Sequence, residues 1–235
     1  MSVKSGTERF KFCQGATRTD ILVGCALVML LISILLPVGM RMRERARWIQ
    51  CGTNLKQIAM ALRFYAGQNQ DTFPAMTYNK PPGGWWWYKE QIKSGGFKEG
   101  QQPTVDKTFA CPSDRGYEGL SDEAIPFCQS AKHAYNSYVF NGVNLPGLPN
   151  IAGRKESSIR QPNRTLLVME WTAHAPLSWH KSRTGKRNAP FYNNAESVVA
   201  FVDGHVRTVK IYYDGINPAY SRDPIPGYEY QFSGD

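Results

Sequence analysis

The residues in this sequence best suited to chemistry are two acids and a histidine: Glu170, Asp203 and His205. Carboxylate and imidazole are ordinary ligands of a divalent metal, so these three define a candidate metal site. The chain has 4 His, far apart, and none stands at metal-motif spacing from His205. Asp203-Gly204 has a plainer reading. VVAFV and HVRTVKIYY alternate on either side of it, and Asp-Gly between alternating runs predicts a hairpin with a type I′ turn through Asp203, Gly204 and His205. The turn is the stronger of the two readings. No Ser–His–Asp or Cys–His arrangement has motif-level spacing, so neither an enzymatic activity nor a cofactor is expected.

The 5 Cys are too scattered for a disulfide scaffold or a paired-cysteine zinc site. Cys111 and Cys128 are a candidate disulfide if that part of the chain lies in an oxidising compartment; two buried thiols explain the same residues. Cys51 falls near the apolar stripe of a helix, which reads as packing. Two features could bind a partner. Trp85-Trp86-Trp87-Tyr88 places four aromatics in a row, and on a strand, where successive side chains alternate faces, at least one or two would line a surface suited to a glycan or a protein. Core packing under a loop is the competing reading. Lys181–Arg187 is a basic stretch fit for an acidic polymer or lipid headgroups, or simply a solvated loop. The formal charge of +9 favours anionic surroundings without choosing among them; nucleic acid is not the expected partner.

These groups must be held by a chain with an uneven distribution of apolar residues. Ile21 to Met40 is a run of 20 without a charged side chain, the length a helix needs to cross a hydrocarbon core of roughly 30 Å. A secretory signal has a shorter apolar region and a small-residue cleavage site; this run instead continues into Arg41-Met42-Arg43-Glu44-Arg45. Lys4, Arg9, Lys11 and Arg18 before the span nearly balance Arg41, Arg43, Arg45 and Arg47 after it, so charge alone sets no orientation. Beyond the span, Met42, Ala46, Ile49, Leu55, Ile58 or Ala59, Leu62 and Tyr65 or Ala66 recur at steps of three and four, apart from a gap near Gly52–Thr53. The spacing predicts an amphipathic continuation to about Gly67, ended by Phe73-Pro74. Strands are expected at Tyr135–Phe140, Thr165–Trp171, Ser197–Val202 and His205–Tyr213. The expected fold is α+β, with an antiparallel sheet burying its apolar face on the second half of the long helix, and a segment from Asn217 onward forming an irregular cap.

Gly15-Ala16-Thr17-Arg18-Thr19-Asp20-Ile21-Leu22 resembles the processing site of type IV prepilins and type II secretion pseudopilins. The continuation MRERARWIQCGTNLKQIAMALRFYAGQNQDTFP resembles a large bacterial group of prepilin-like proteins. Cys111-Pro112, the Tyr135–Gly142 segment, Pro162–Glu170 and the Asp203-Gly204-His205 hairpin are similar to that group's later segments. The group's pattern places a His ten residues before the Asp; Asn193 holds that place here, and His180 lies upstream in the basic loop. Ala16 and Asp20 stand where the family usually has Phe and Glu.

The resemblance implies a pilin-like fold with a leader at 1–15, a long helix at 16–70 containing the transmembrane span 21–40, and a periplasmic or extracellular head at 71–235. It implies cleavage after Gly15 by a prepilin peptidase, methylation of Ala16, and pairing of Asp20 with a neighbouring subunit's terminal amine during assembly. It further implies a single-pass protein of the bacterial inner membrane, leader inside and head outside, whose partners are the peptidase and other pilin-like subunits or itself. The expected role is a structural subunit of a pilus or type II secretion pseudopilus. An anchored glycan- or envelope-binding module is the alternative reading, and a metal-dependent enzyme the third.

Overall fold

The computed structural model describes residues 18–77, 84–94, 102–116, 125–145, 147–181, 191–216 and 222–235. The chain divides into two compact units, Met1–Arg43 and Glu44–Asp235. Helix α1, Arg18–Gln68, runs through the boundary between them. In the first unit it carries the apolar run, and every residue from 18 to 43 is exposed. Leu22 is 68% and Leu35 64% accessible, so none of these side chains has a protein core to enter. The helix is long and apolar enough to cross a membrane.

The second half of α1 behaves in the opposite way. Cys51, Asn54, Leu55, Ile58, Ala59, Leu62 and Ala66 are buried. Their spacing follows one face of a 3.6-residue helix. The stripe therefore begins at Cys51 and crosses the Gly52–Thr53 gap through Asn54, whereas Met42 and Ile49, expected on it, are exposed. The gap is real only for apolar side chains: Gly52 lies near Val198 and Val206 of the sheet, at a distance that would leave an added methyl in ordinary van der Waals contact. Asn54 is satisfied by donating to the Ala110 carbonyl, 3.0 Å away. The helix ends where Gln70 and Asp71 take positive φ, a left-handed termination. The Asp71 carboxylate then accepts the Ser157 amide at 3.1 Å.

Strands β2 (Tyr138–Phe140), β4 (Leu166–Glu170), β5 (Ala195–Phe201) and β6 (Val206–Ile211) form an antiparallel sheet in the order β2-β4-β5-β6. Two short strands, β1 (Met76–Thr77) and β3 (Val143–Asn144), pair in parallel beside it. All four expected strands exist with shifted ends; β2, β4 and β6 are shorter than expected, and β5 starts two residues earlier, at Ala195. The fold is α+β and pilin-like: one long amino-terminal helix on an antiparallel sheet. The sheet buries one face on the second half of α1, as expected, and its central strands are buried on the other face as well. Tyr138, Phe140, Val168, Val198 and Ala200 pack with the buried stripe of α1. The alternate residues Val139, Met169, Val199 and Phe201 pack with Ile225, Tyr230 and Phe232. The cap is thus a second wall, stitched on where Leu166 donates to the Gln231 carbonyl and Gln231 to the Arg164 carbonyl, both at 2.9 Å.

Helix α2, Gly84–Ser94, was not expected. It contains the aromatic row assigned above to a strand, and this corrects that reading. On a helix the four rings spread around the axis, so they need not alternate between two faces. Tyr88 is fully buried against Phe109 and Phe140. Trp85 meets His174 edge-on, with ring centres 4.0 Å apart, and Trp86 packs on Phe127 and His133. Trp87 is half-buried. The Lys89 ammonium is also buried beside Glu90, 3.1 Å away, and donates to the Thr104 and Ala134 carbonyls. Burial nonetheless holds its pKa below the ordinary lysine value, against the pull of Glu90.

Candidate functional site

Among the described residues, one group gathers several metal-ligating side chains: Cys51, Cys111, Glu170 and His180, whose ligand atoms all lie within 4.8 Å of one another. Each comes from a different element. Cys51 opens the buried stripe of α1. Cys111 follows a short helical turn whose Asp106 cap accepts the Thr108 amide, and Ser137 Oγ accepts the Cys111 N–H at 3.0 Å. Glu170 ends β4, where a strand residue opposite Tyr138 points toward α1. His180 sits in a tight turn in which Ser178 Oγ accepts the amides of His180 and Lys181.

Cys51 and Cys111 are joined by a disulfide with their α-carbons 5.1 Å apart, inside the usual range for such a bond. This corrects the expected Cys111–Cys128 pair. Cys128 is a free thiol whose pKa burial, and after it the Asp114 carboxylate, push up to about 12. Asp114 accepts the Cys128 amide at 3.0 Å and the Ser137 hydroxyl at 2.7 Å, yet burial still raises its own pKa above the ordinary value.

Beside the disulfide, Glu170 is fully buried. One carboxylate oxygen lies 2.7 Å from His180 Nε2 and the other accepts the Val198 amide at 2.9 Å. Cys111 Sγ is 3.6 Å from the first oxygen. The His180 ring stacks on Trp48 at 5.1 Å with the planes 13° apart, and the Lys181 ammonium lies over the Trp48 ring, 5.2 Å from its centroid. Trp48 and Cys51 are three residues apart, on one helical face, so α1 supplies both a sulfur and the surface that orients the imidazole. Burial, then the nearby Glu170 charge, hold the Tyr138 phenol well above its ordinary pKa.

The candidate metal set Glu170, Asp203 and His205 does not assemble. Glu170 closes one end of β4, while Leu166 at the other end pairs with Phe201, and Asp203 lies beyond that end. Four residues of strand separate them, roughly 13 Å. Asp203 instead closes the hairpin: its carboxylate accepts the His205 amide at 3.0 Å and lies 2.6 Å from His205 Nδ1. The turn is not type I′. Gly204 takes φ 89° while Asp203 is absent from the positive-φ residues, and the Gly204 amide donates to the Phe201 carbonyl at 2.9 Å, the geometry of a three-residue loop with a glycine bulge. Arg63 of α1 donates to the Asp203 carbonyl at 3.1 Å and pairs with Glu156 at 2.7 Å, tying the helix to this turn. Asn193, at the place of the group's His, takes the Tyr213 amide and the Tyr228 hydroxyl, each at 3.0 Å.

Gly15 and Ala16, the leader 1–15, and the basic stretch beyond Lys181 lie outside the described residues. Asp20 is exposed in the first turn of α1. Reading by sequence missed the four-residue cluster because its members span Cys51 to His180. The usable signals were a buried-stripe Cys and a Glu at the end of an apolar strand.

Residues 40–92 match a family described as "Protein of unknown function (DUF1559)". The matched stretch holds the end of the apolar span, the buried half of α1 and most of α2. No curated protein and no solved structure matches the chain.

Proposed function

We propose that this chain is a membrane-anchored, pilin-like structural subunit. Supporting this reading is the exposure of every residue from 18 to 47, in a helix whose apolar run is buried by none of the described residues. Apolar surface on this scale is unstable in water and has to be covered by lipid or by other copies. Heterologous contact between one surface and a different surface of the next copy builds helical filaments, and an all-round apolar rod with one acid near its start is suited to that. The resemblance at Gly15–Leu22 adds the pathway: a prepilin peptidase of the inner membrane cuts after Gly15, Ala16 is methylated, the leader side stays cytoplasmic and the head lies outside. Asp20 then pairs with the terminal amine of an adjacent subunit. The role is structural rather than enzymatic.

The test is the intact mass of the membrane-extracted chain, expressed with and without an active prepilin peptidase. The expected result is a mature chain starting at Ala16 and carrying one extra methyl group, and Asp20→Ala should then abolish incorporation into filaments while leaving membrane insertion intact. Retention of the leader with an active peptidase would overturn the processing step and with it the filament role.

A further inference from the structure

We infer that Cys51, Cys111, Glu170 and His180 form a redox-gated site for one zinc-class divalent cation, closed while the disulfide stands and opened by its reduction. This goes beyond the structural-subunit reading and does not depend on it. The donor set carries the identity of the ion: two thiolates, an imidazole and a carboxylate are the soft-to-borderline mixture that selects zinc over calcium or magnesium, which prefer all-oxygen shells. Spacing is compatible. Tetrahedral zinc with bonds of about 2.3 Å to sulfur and about 2.0–2.1 Å to nitrogen and oxygen puts neighbouring ligands roughly 3.3–3.8 Å apart, and all four donor atoms here already lie within 4.8 Å of one another. The main movement required is separation of the two sulfurs by side-chain rotation once their bond is gone.

The disulfide state leaves the cluster electrostatically incomplete. Glu170 is 0% exposed, and its carboxylate faces Cys111 Sγ at 3.6 Å. A disulfide sulfur has no proton to donate, so that contact offers the carboxylate nothing, and among the described residues its hydrogen bonds come from His180 and the Val198 amide. Burying a carboxylate is expensive unless charge and hydrogen bonds compensate it, and a bound dication supplies that compensation directly. The ligands are also held from behind: Ser137 Oγ fixes the Cys111 backbone, the Ser178 turn fixes His180, and Trp48 fixes the plane of its ring. Metal ligands supported in this way lose little order on binding.

The chemistry balances with a dithiol reductant. Its two electrons and two protons pass to Cys51 and Cys111, the sulfur–sulfur bond breaks, two thiols form, and the reductant closes to its own disulfide. As two metal–sulfur bonds form, each thiol releases its proton to solvent. His180 binds as neutral imidazole and Glu170 as carboxylate. The disulfide ties α1 to the segment at Cys111, and a metal would tie it to that segment and, through Glu170, to β4, so the two states are alternative cross-links at one place.

The experiment uses the full chain in detergent, reduced anaerobically with a phosphine, which does not compete for zinc as a dithiol would. Cobalt(II) is titrated in and read by its thiolate charge-transfer band and by intense tetrahedral d–d bands, with near-ultraviolet circular dichroism recorded alongside. The expected result is one cobalt per reduced chain, displaced by one zinc, and none in the oxidised chain. Cys51→Ser should remove the charge-transfer band. His180→Ala and Glu170→Gln should each weaken binding by more than the roughly 10–100-fold that loss of an outer-shell partner costs, while Cys128→Ala leaves the titration unchanged. The inference is overturned by the absence of the band in reduced protein, by a band indifferent to His180 and Glu170 in variants that keep their dichroism, or by reduced protein that loses its dichroism and does not regain it with metal.

Discussion

The molecule holds two carboxylate–imidazole pairs of nearly the same length and opposite setting. Asp203 and His205 meet at 2.6 Å with more than a third of each side chain exposed, and Glu170 and His180 meet at 2.7 Å with 0–2% exposed. The first spans two residues in sequence, lies on a turn and is partly open to solvent, with the His205 ring stacked on Phe201. The second joins the end of a strand to a distant loop beneath α1. Distance alone therefore says little about what an acid–histidine contact does; the dielectric around it decides. An exposed pair is typically worth about 0–1 kcal/mol, whereas removing one partner of a buried pair costs about 3–5 kcal/mol because the other is left uncompensated.

That contrast can be broken at several points. Glu170→Ala carries the largest expected effect, about 3–5 kcal/mol lost from the head, since it strands His180 and the Val198 amide together; denaturant unfolding in detergent measures it. Replacing both Cys51 and Cys111 by Ala comes next, with about 2–4 kcal/mol expected for a cross-link closing so long a loop, read by the same unfolding curves. His174, the third imidazole of this comparison, sharpens it through pH. Burial lowers its pKa from 6.5 to about 3, so between those values the unfolded chain binds a proton that the folded one does not. Its contribution is complete above about pH 6.5 and is lost progressively as pH falls toward 3. Nuclear magnetic resonance should find its ring neutral through that window, and His174→Gln should flatten the acid limb of the stability profile. The smallest effect belongs to the exposed pair: His205→Ala should cost about 1 kcal/mol or less, a sub-unit change that careful unfolding curves resolve.

The same contrast explains what could be read before the fold was known. The apolar span, the long helix and the β5–β6 hairpin are encoded by neighbours in sequence, through runs, helical spacing and a glycine at the turn, and all three stand in the structure. The disulfide partner of Cys111 is 60 residues away and depends on which stripe residue of α1 faces the sheet, information that periodicity blurs at Gly52. The aromatic row misled because four consecutive rings fit a strand as well as a helix until α2's packing on Phe109 and Phe140 decides. Burial of the sheet on both faces was hidden for a similar reason: the residues that cover its second face, Ile225, Tyr230 and Phe232, sit among prolines and glycines with no period to announce them.

That second wall has a consequence for how the chain reaches its folded state during synthesis. All four strands of the sheet are complete by Ile211, yet a large part of the cover over Met169, Val199 and Phe201, the side chains of Ile225, Tyr230 and Phe232, arrives only with residues 225–232. A chain emerging in order from its amino end therefore carries a finished sheet whose second face has, among the described residues, only Trp85, Trp86, Trp171 and Tyr212 against it until the last residues are made.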